Sequence, residues 1–265
     1  MPSPYPEVRA GVFIADAVTS KWDFSSGRED HAPCTPQPEG SAPMDMNAGR
    51  DSQAVVETRL THETHRLATG LLVDAVGRPS APRQALAQLR DFLVVNLRHH
   101  HETEDEWLWP LILTAAPEVK RALDDLSEEH ERLDIALDRL AGIGLTGAKD
   151  HDGDHLNEDD RHALREAAVA VRDSVRDHLD HEEPVLFPAL REHITPAQWA
   201  EFAQRVIATT PPVAGHLMIG LLDEVGTPAE VESIFVNMPP AMKSLLPALR
   251  DQAAADLRVL RGTGS

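Results

Sequence analysis

Two stretches of this chain read as copies of each other: RHHHETEDEWLWP, from Arg98 to Pro110, and RDHLDHEEPVLFP, from Arg176 to Pro188. Aligned on their ends, Leu108-Trp109-Pro110 falls on Leu186-Phe187-Pro188, His100 on His178, Glu104 on Glu182, and Asp105 on Glu183. Each copy carries a His and, four residues on, a Glu. Four residues is a little over one helical turn, so both side chains leave the same face of a helix. An imidazole and a carboxylate stacked in this way can hold one metal ion, or one end of a metal pair. Two such helices must face each other to make a site, and that requirement narrows the folds open to this chain.

The remaining pattern is helical as well. Helix formers dominate and aromatics make up only 4% of the 265 residues, which favours an all-α fold. The spacing predicts a first helix over 51–76, stopped by Gly77-Arg78-Pro79-Ser80 and carrying Thr61-His62-Glu63-Thr64-His65-Arg66. A second helix covers 82–114, bent near its end by Pro110, with an inward stripe of Leu86, Leu89, Leu93, Asn96, His100, Glu104, Trp107 and Leu111. The third covers 117–142, and its seam reads Leu123, Leu126, His130, Leu133, Leu137, Leu140. A Gly- and Asp-rich loop follows, whose spacing does not match a calcium-binding helix–loop–helix. The fourth helix covers 160–193, with Val171, Val175, His178, Glu182, Val185 and Ala189 in its stripe.

These elements predict an antiparallel four-helix bundle over 51–194. Residues 1–50 are rich in Pro, Ser, Gly and Asp without periodicity, so we expect them to be disordered. Met44 and Met46 stand just before the helical pattern, where a start codon would also fit. Residues 195–265 read as a C-terminal helical extension with helices over 197–208, 213–225 and 240–261. We expect it to pack on the bundle or to mediate a homodimer contact.

Within such a bundle the residue counts between turns bring His62, His100, Glu104, His130, His178 and Glu182 to one level. Each buried polar group without a partner costs about 1–3 kcal/mol, and a metal pair would partner all six. A lone His on an apolar stripe is more often a hydrogen-bonded core residue. The coincidence of His130 with two repeats moves it to the ligand reading. His65 competes with His62 on one broad face, and His62 is preferred. Glu183 lies about 100° around the helix from Glu182, off the stripe. His99, His101 and His181 are expected to face solvent or to back the ligands, and His216 is not assigned.

The formal charge of −19 argues against nucleic acid and anionic membrane as partners, since phosphate binding wants a basic patch. Cys34 is the single cysteine, so no intrachain disulfide forms. No apolar run is long enough to span a bilayer, and no basic leader with an apolar core precedes the helices. A cytoplasmic protein is the expectation.

At these residues the chain resembles the hemerythrin-like, or HHE cation-binding, family, over about residues 53–192. The carriers are Leu60-Thr61-His62 with Arg66, the two His/Glu repeats with their Leu-aromatic-Pro endings, and Glu129-His130. The resemblance implies a bundle around two non-haem iron ions joined by an oxo or hydroxo bridge. The carboxylates of the second and fourth helices would bridge the irons and the histidines would cap them. The chain departs from the oxygen-carrying members. Their third helix supplies two His four apart, and here Asp134 stands four after His130. Their last carboxylate lies five after its His, which would be Glu183. Fewer His and more oxygen ligands stabilise ferric iron. The resemblance then implies binding of oxygen, peroxide or nitric oxide with catalase-like peroxide turnover, and not simple oxygen carriage. The other readings are a non-enzymatic iron, oxygen or redox sensor or adaptor, signalling through the helices after Thr195, and a plain helical scaffold. No base, nucleophile or organic substrate pocket is visible.

Overall fold

Ser52 sets where the first helix starts. Its hydroxyl accepts the Val55 N–H at 3.4 Å, and α1 runs over Gln53–Val76. In this computed structural model residues 51–145, 156–236, 238 and 240–263 are described. The expectations for residues 1–50 and for 146–155 of the loop lie outside them.

The second predicted helix is three pieces: α2 (Arg83–Thr103), a π-helical turn (Glu104–Leu108) and α3 (Trp109–Ala115). The Trp109 N–H reaches back five residues to the Glu104 carbonyl. Pro110 has no N–H, and its ring crowds the carbonyl four residues back. Widening the turn before it carries the ring away from that carbonyl. The wide turn adds one residue, so the buried stripe beyond it moves by one. Leu108 and Ile112 are buried where Trp107 and Leu111 are expected from the sequence.

A short 3₁₀ turn, Pro117–Val119, leads into α4 (Lys120–Ala141), whose buried face is the Leu seam with His130 in it. Asn157 caps α5 (Glu158–His193) by accepting the Asp160 N–H at 2.7 Å. Glu158, Asp159 and Asp160 in its first turn and Arg191 and His193 in its last complement the helix dipole. Arg161 ties this start to the end of α1, donating to the carbonyls of Val76, Arg78 and Pro79.

α1 packs on α2 and α5, and α4 packs on the same two, so the four helices close a ring. Its interior holds two apolar clusters. One contains Ala68, Leu97, Leu133 and Leu179. The other contains Val55, Leu108, Leu126 and Leu186. On each helix the ionisable residues of interest lie in sequence between a member of the first cluster and a member of the second. A polar layer therefore crosses the core at one level.

After Thr195 come α6 (Pro196–Thr209), α7 (Gly215–Val225), α8 (Pro228–Phe235), α9 (Pro240–Lys243) and α10 (Leu246–Arg261). α8 is absent from the sequence prediction. Its signal is a capping box in which Thr227 accepts the Glu230 N–H and the Glu230 side chain returns to Thr227. α7 and α10 meet closely at Gly220, where a Cβ would stand 2.5 Å from that of Ala253. Both pack on α1. Leu60 of α1 is fully buried among Ile219, Leu222, Val231 and Phe235. Of the two placements expected for this segment, packing on the preceding helices is observed. Among the described residues there is no strand, and no helix is long and apolar enough to cross a membrane.

Candidate metal centre

Each helix of the ring delivers imidazole or carboxylate to the polar layer. α1 brings His62 and His65, α2 brings His100 and His101, and the π turn opens with Glu104. α4 brings His130, and α5 brings His178 and Glu182. Glu182 is 0% exposed and Glu104 2%. Two sets of donor atoms each lie within 4.8 Å of one another: His62, His100, Glu104 and Glu182 in one, and His101, His130 and His178 in the other.

The two carboxylates span both sets. Glu104 Oε1 stands 3.3 Å from His100 Nε2, and its Oε2 stands 3.7 Å from His130 Nε2. Glu182 Oε2 stands 3.6 Å from His62 Nε2 and 3.3 Å from His178 Nε2. His130 and His178 point Nε2 at each other across 3.2 Å.

The outer ring nitrogens are held from behind. His62 Nδ1 donates to Glu183 at 3.1 Å, His130 Nδ1 to Asp105 at 2.9 Å, and His178 Nδ1 to Glu129 at 3.1 Å. An ionised carboxylate only accepts, so each Nδ1 carries a proton and Nε2 is the nitrogen left facing the layer. Asp105 also accepts from the Ser127 hydroxyl at 2.6 Å, and Glu183 from Arg66 at 2.6 Å. Trp109 stacks on His130 with centroids 6.2 Å apart, and Phe187 on His62 at 6.0 Å. The sequence repeat therefore has a physical content. In each copy the carboxylate five after the His orients a histidine of a different helix, and the aromatic nine after it stacks on that same histidine.

The electrostatics call for a cation. Burial and the adjacent Glu182 push the Glu104 carboxyl well above the carboxylate range. Glu182 is held at about 2, against its own burial, by His62 and His178. Two buried carboxylates this close do not both ionise unless positive charge joins them. Burial, then the neighbouring imidazoles, drives His100 and His101 well below the usual histidine range, so both are neutral ligands in waiting. Among the described residues, His62 Nε2, His100 Nε2, His101 Nδ1, Glu104 Oε2 and both Glu182 oxygens are buried without a hydrogen-bond partner. Unpartnered nitrogen and oxygen donors in two adjoining sets fit first-row metal ions.

The family model for the hemerythrin HHE cation-binding domain matches residues 55–190. The chain belongs to that family. No curated protein and no solved structure matches the chain. The matched span of this hemerythrin HHE domain contains every donor named above, and its cation-binding character agrees with them.

All six residues singled out from the sequence meet in the HHE domain's polar layer. Glu183 lies outside it, bonded to His62 and Arg66. His65 is buried but belongs to neither set. One placement differs from the expectation for flanking histidines. His101 is buried in the three-His set, stacked on His130 with centroids 4.3 Å apart. The signal for it was Leu93 and Leu97, both buried, which put His101 four residues further along the same row. Glu129 orients His178 and also accepts from the exposed His181. His216 is a satisfied core histidine, bonded to Asp256 at 2.8 Å.

Proposed function

We propose that this protein is a non-haem di-iron protein that binds oxygen, peroxide or nitric oxide and turns over peroxide in a catalase-like way. The observation that carries this reading is the pair of buried carboxylates, each within 3.7 Å of a histidine from both donor sets. His62 and His100 would hold one ion, His101, His130 and His178 the other, and Glu104 and Glu182 would bridge. A pair of irons supplies two one-electron couples side by side, which two-electron peroxide chemistry needs. The protein's own part is to fix the lone pairs through Glu183, Asp105 and Glu129, and to keep water out with the apolar clusters above and below. We read the ring of α1, α2, α4 and α5 as an antiparallel four-helix bundle acting in the cytoplasm.

The test is metal analysis with optical spectra before and after reduction, then oxygen evolution on added peroxide. About two irons per chain are expected, with near-ultraviolet absorption that fades on reduction. Protein that cannot be reconstituted with iron sinks the reading. A second reading, a sensor or adaptor, is favoured by Leu60. It lies two residues from His62 and is buried against α7 and α8. Iron without oxygen evolution, together with a metal-dependent change in protection of α7, would favour it.

A further inference from the structure

His65 is the buried histidine of this layer that neither donor set uses. It is 1% exposed, and neither ring nitrogen has a hydrogen-bond partner among the described residues. A neutral imidazole carries one N–H and one lone pair, so the folded chain holds an unmatched donor against its own centre. Packing does not explain it, since a Leu would fill this place with no polar atom to satisfy.

Its position is specific. His65 is three residues after His62, roughly 60° around α1 and about 4.5 Å along it. It therefore enters beside the donor sets and not in line with His62. Its ring lies edge-on to His100, with centroids 4.9 Å apart. His62, Glu182 and His178, drawn from both sets, are its electrostatic neighbours.

We propose that His65 is not a metal ligand but the hydrogen-bond donor to a small acceptor molecule held between the two donor sets, a di- or triatomic species ending in oxygen or nitrogen. The inference rests on the metal-centre reading above. It adds what selects the molecule: the site discriminates for ligands whose far atom accepts a hydrogen bond, and against those whose far atom does not.

The experiment uses full-length, iron-reconstituted protein with azide as the probe, followed by optical titration. Wild type, His65→Leu and His65→Gln are compared for iron content and for azide affinity. Both variants should keep wild-type iron. His65→Leu should bind azide about tenfold more weakly, the loss of one hydrogen bond to a charged acceptor. His65→Gln keeps a donor and should recover part of that loss. Iron-free His65→Leu should melt above iron-free wild type. Should the Leu variant misfold, His65→Ala repeats the titration with no bulk to misplace. Iron loss in the variants would make His65 a ligand and overturn the proposal. So would unchanged azide affinity at full iron content, or no azide binding by iron-loaded wild type. Wild type that takes up no iron fails the metal-centre reading itself, and this proposal with it.

Discussion

The repeats Arg98–Pro110 and Arg176–Pro188 place the same chemistry on two helices, yet they do it on different backbones. The second stays α-helical through Pro184 and Pro188. The first widens into a π turn at Glu104, one residue after α2 ends. Three side chains of the first repeat enter the donor sets, His100, His101 and Glu104, against two of the second, His178 and Glu182. Where the first has His101 the second has Leu179, a core residue 1% exposed. The carboxylates behind them differ too. Asp105 is shared with a neutral hydroxyl, Ser127, and Glu183 with a guanidinium, Arg66. The Arg66 charge draws on Glu183 and leaves less of its negative charge for His62 than Asp105 leaves for His130. A duplicated motif thus sets up two inequivalent donor sets, one of three imidazoles and one of two imidazoles and two carboxylates.

The largest effect should come from the carboxylate pairs, and it tests whether the repeats really correspond. Glu182→Ala removes a group that faces histidines of both sets, and most bound metal should be lost after dialysis against a chelator. Glu183→Ala only frees His62, which should weaken metal binding by roughly 10–100-fold. Glu104→Ala and Asp105→Ala should repeat that order. Equal losses within either pair would mean that the residue five after the His binds metal itself.

A smaller effect should follow from making the first repeat like the second. His101→Leu installs the residue found at 179. Bound iron should fall from about two per chain towards about one. The iron-free protein should gain stability, on the order of 1 kcal/mol, because the Nδ1 of His101 has no partner. Metal should then add less to the melting temperature than it adds to wild type. From the sequence alone, His130→Leu is the natural choice for this crossed outcome. Asp105, 2.9 Å from His130 Nδ1, makes His130 a satisfied group and moves the choice to His101. An equal gain from iron in both proteins would remove His101 from the centre.

The smallest effects test the backing groups. Arg66→Leu should cost about 1 kcal/mol of iron-free stability, and Ser127→Ala about 0.5 kcal/mol, measured by chemical denaturation. Arg66 is 21% exposed and Glu183 23%, so solvent screens that pair only in part. Equal costs would erase the charge difference drawn between the two repeats.

Much of this was legible in the residues. Helical periodicity marked α1, α4 and α5 because apolar side chains recur at helical spacing along their buried faces, on both sides of the polar layer. His-to-Glu spacing marked His100, Glu104, His178 and Glu182, since a four-residue step needs only an intact helix to become a shared face, and the residue counts between turns added His62 and His130. The stripe beyond Glu104 was not legible, because a π turn shifts the register by one residue and Pro110 alone does not say where the strain is taken up. α8 was missed because eight residues give too little periodicity to outweigh the prolines on both sides.

By itself the sequence determined that the chain is helical, that the two repeats carry matched donors, and which of two adjacent glutamates shares the histidine's face. Those are properties of single helices, set by 3.6 residues per turn. Only the tertiary structure decided that His101 joins the donors while His65 stays beside them. It also paired Asp105 and Glu183 with histidines of other helices, and laid α7, α8 and α10 on the apolar side of α1. Each of these depends on how one helix is rotated and shifted against another, and that is set by packing between residues distant in the chain.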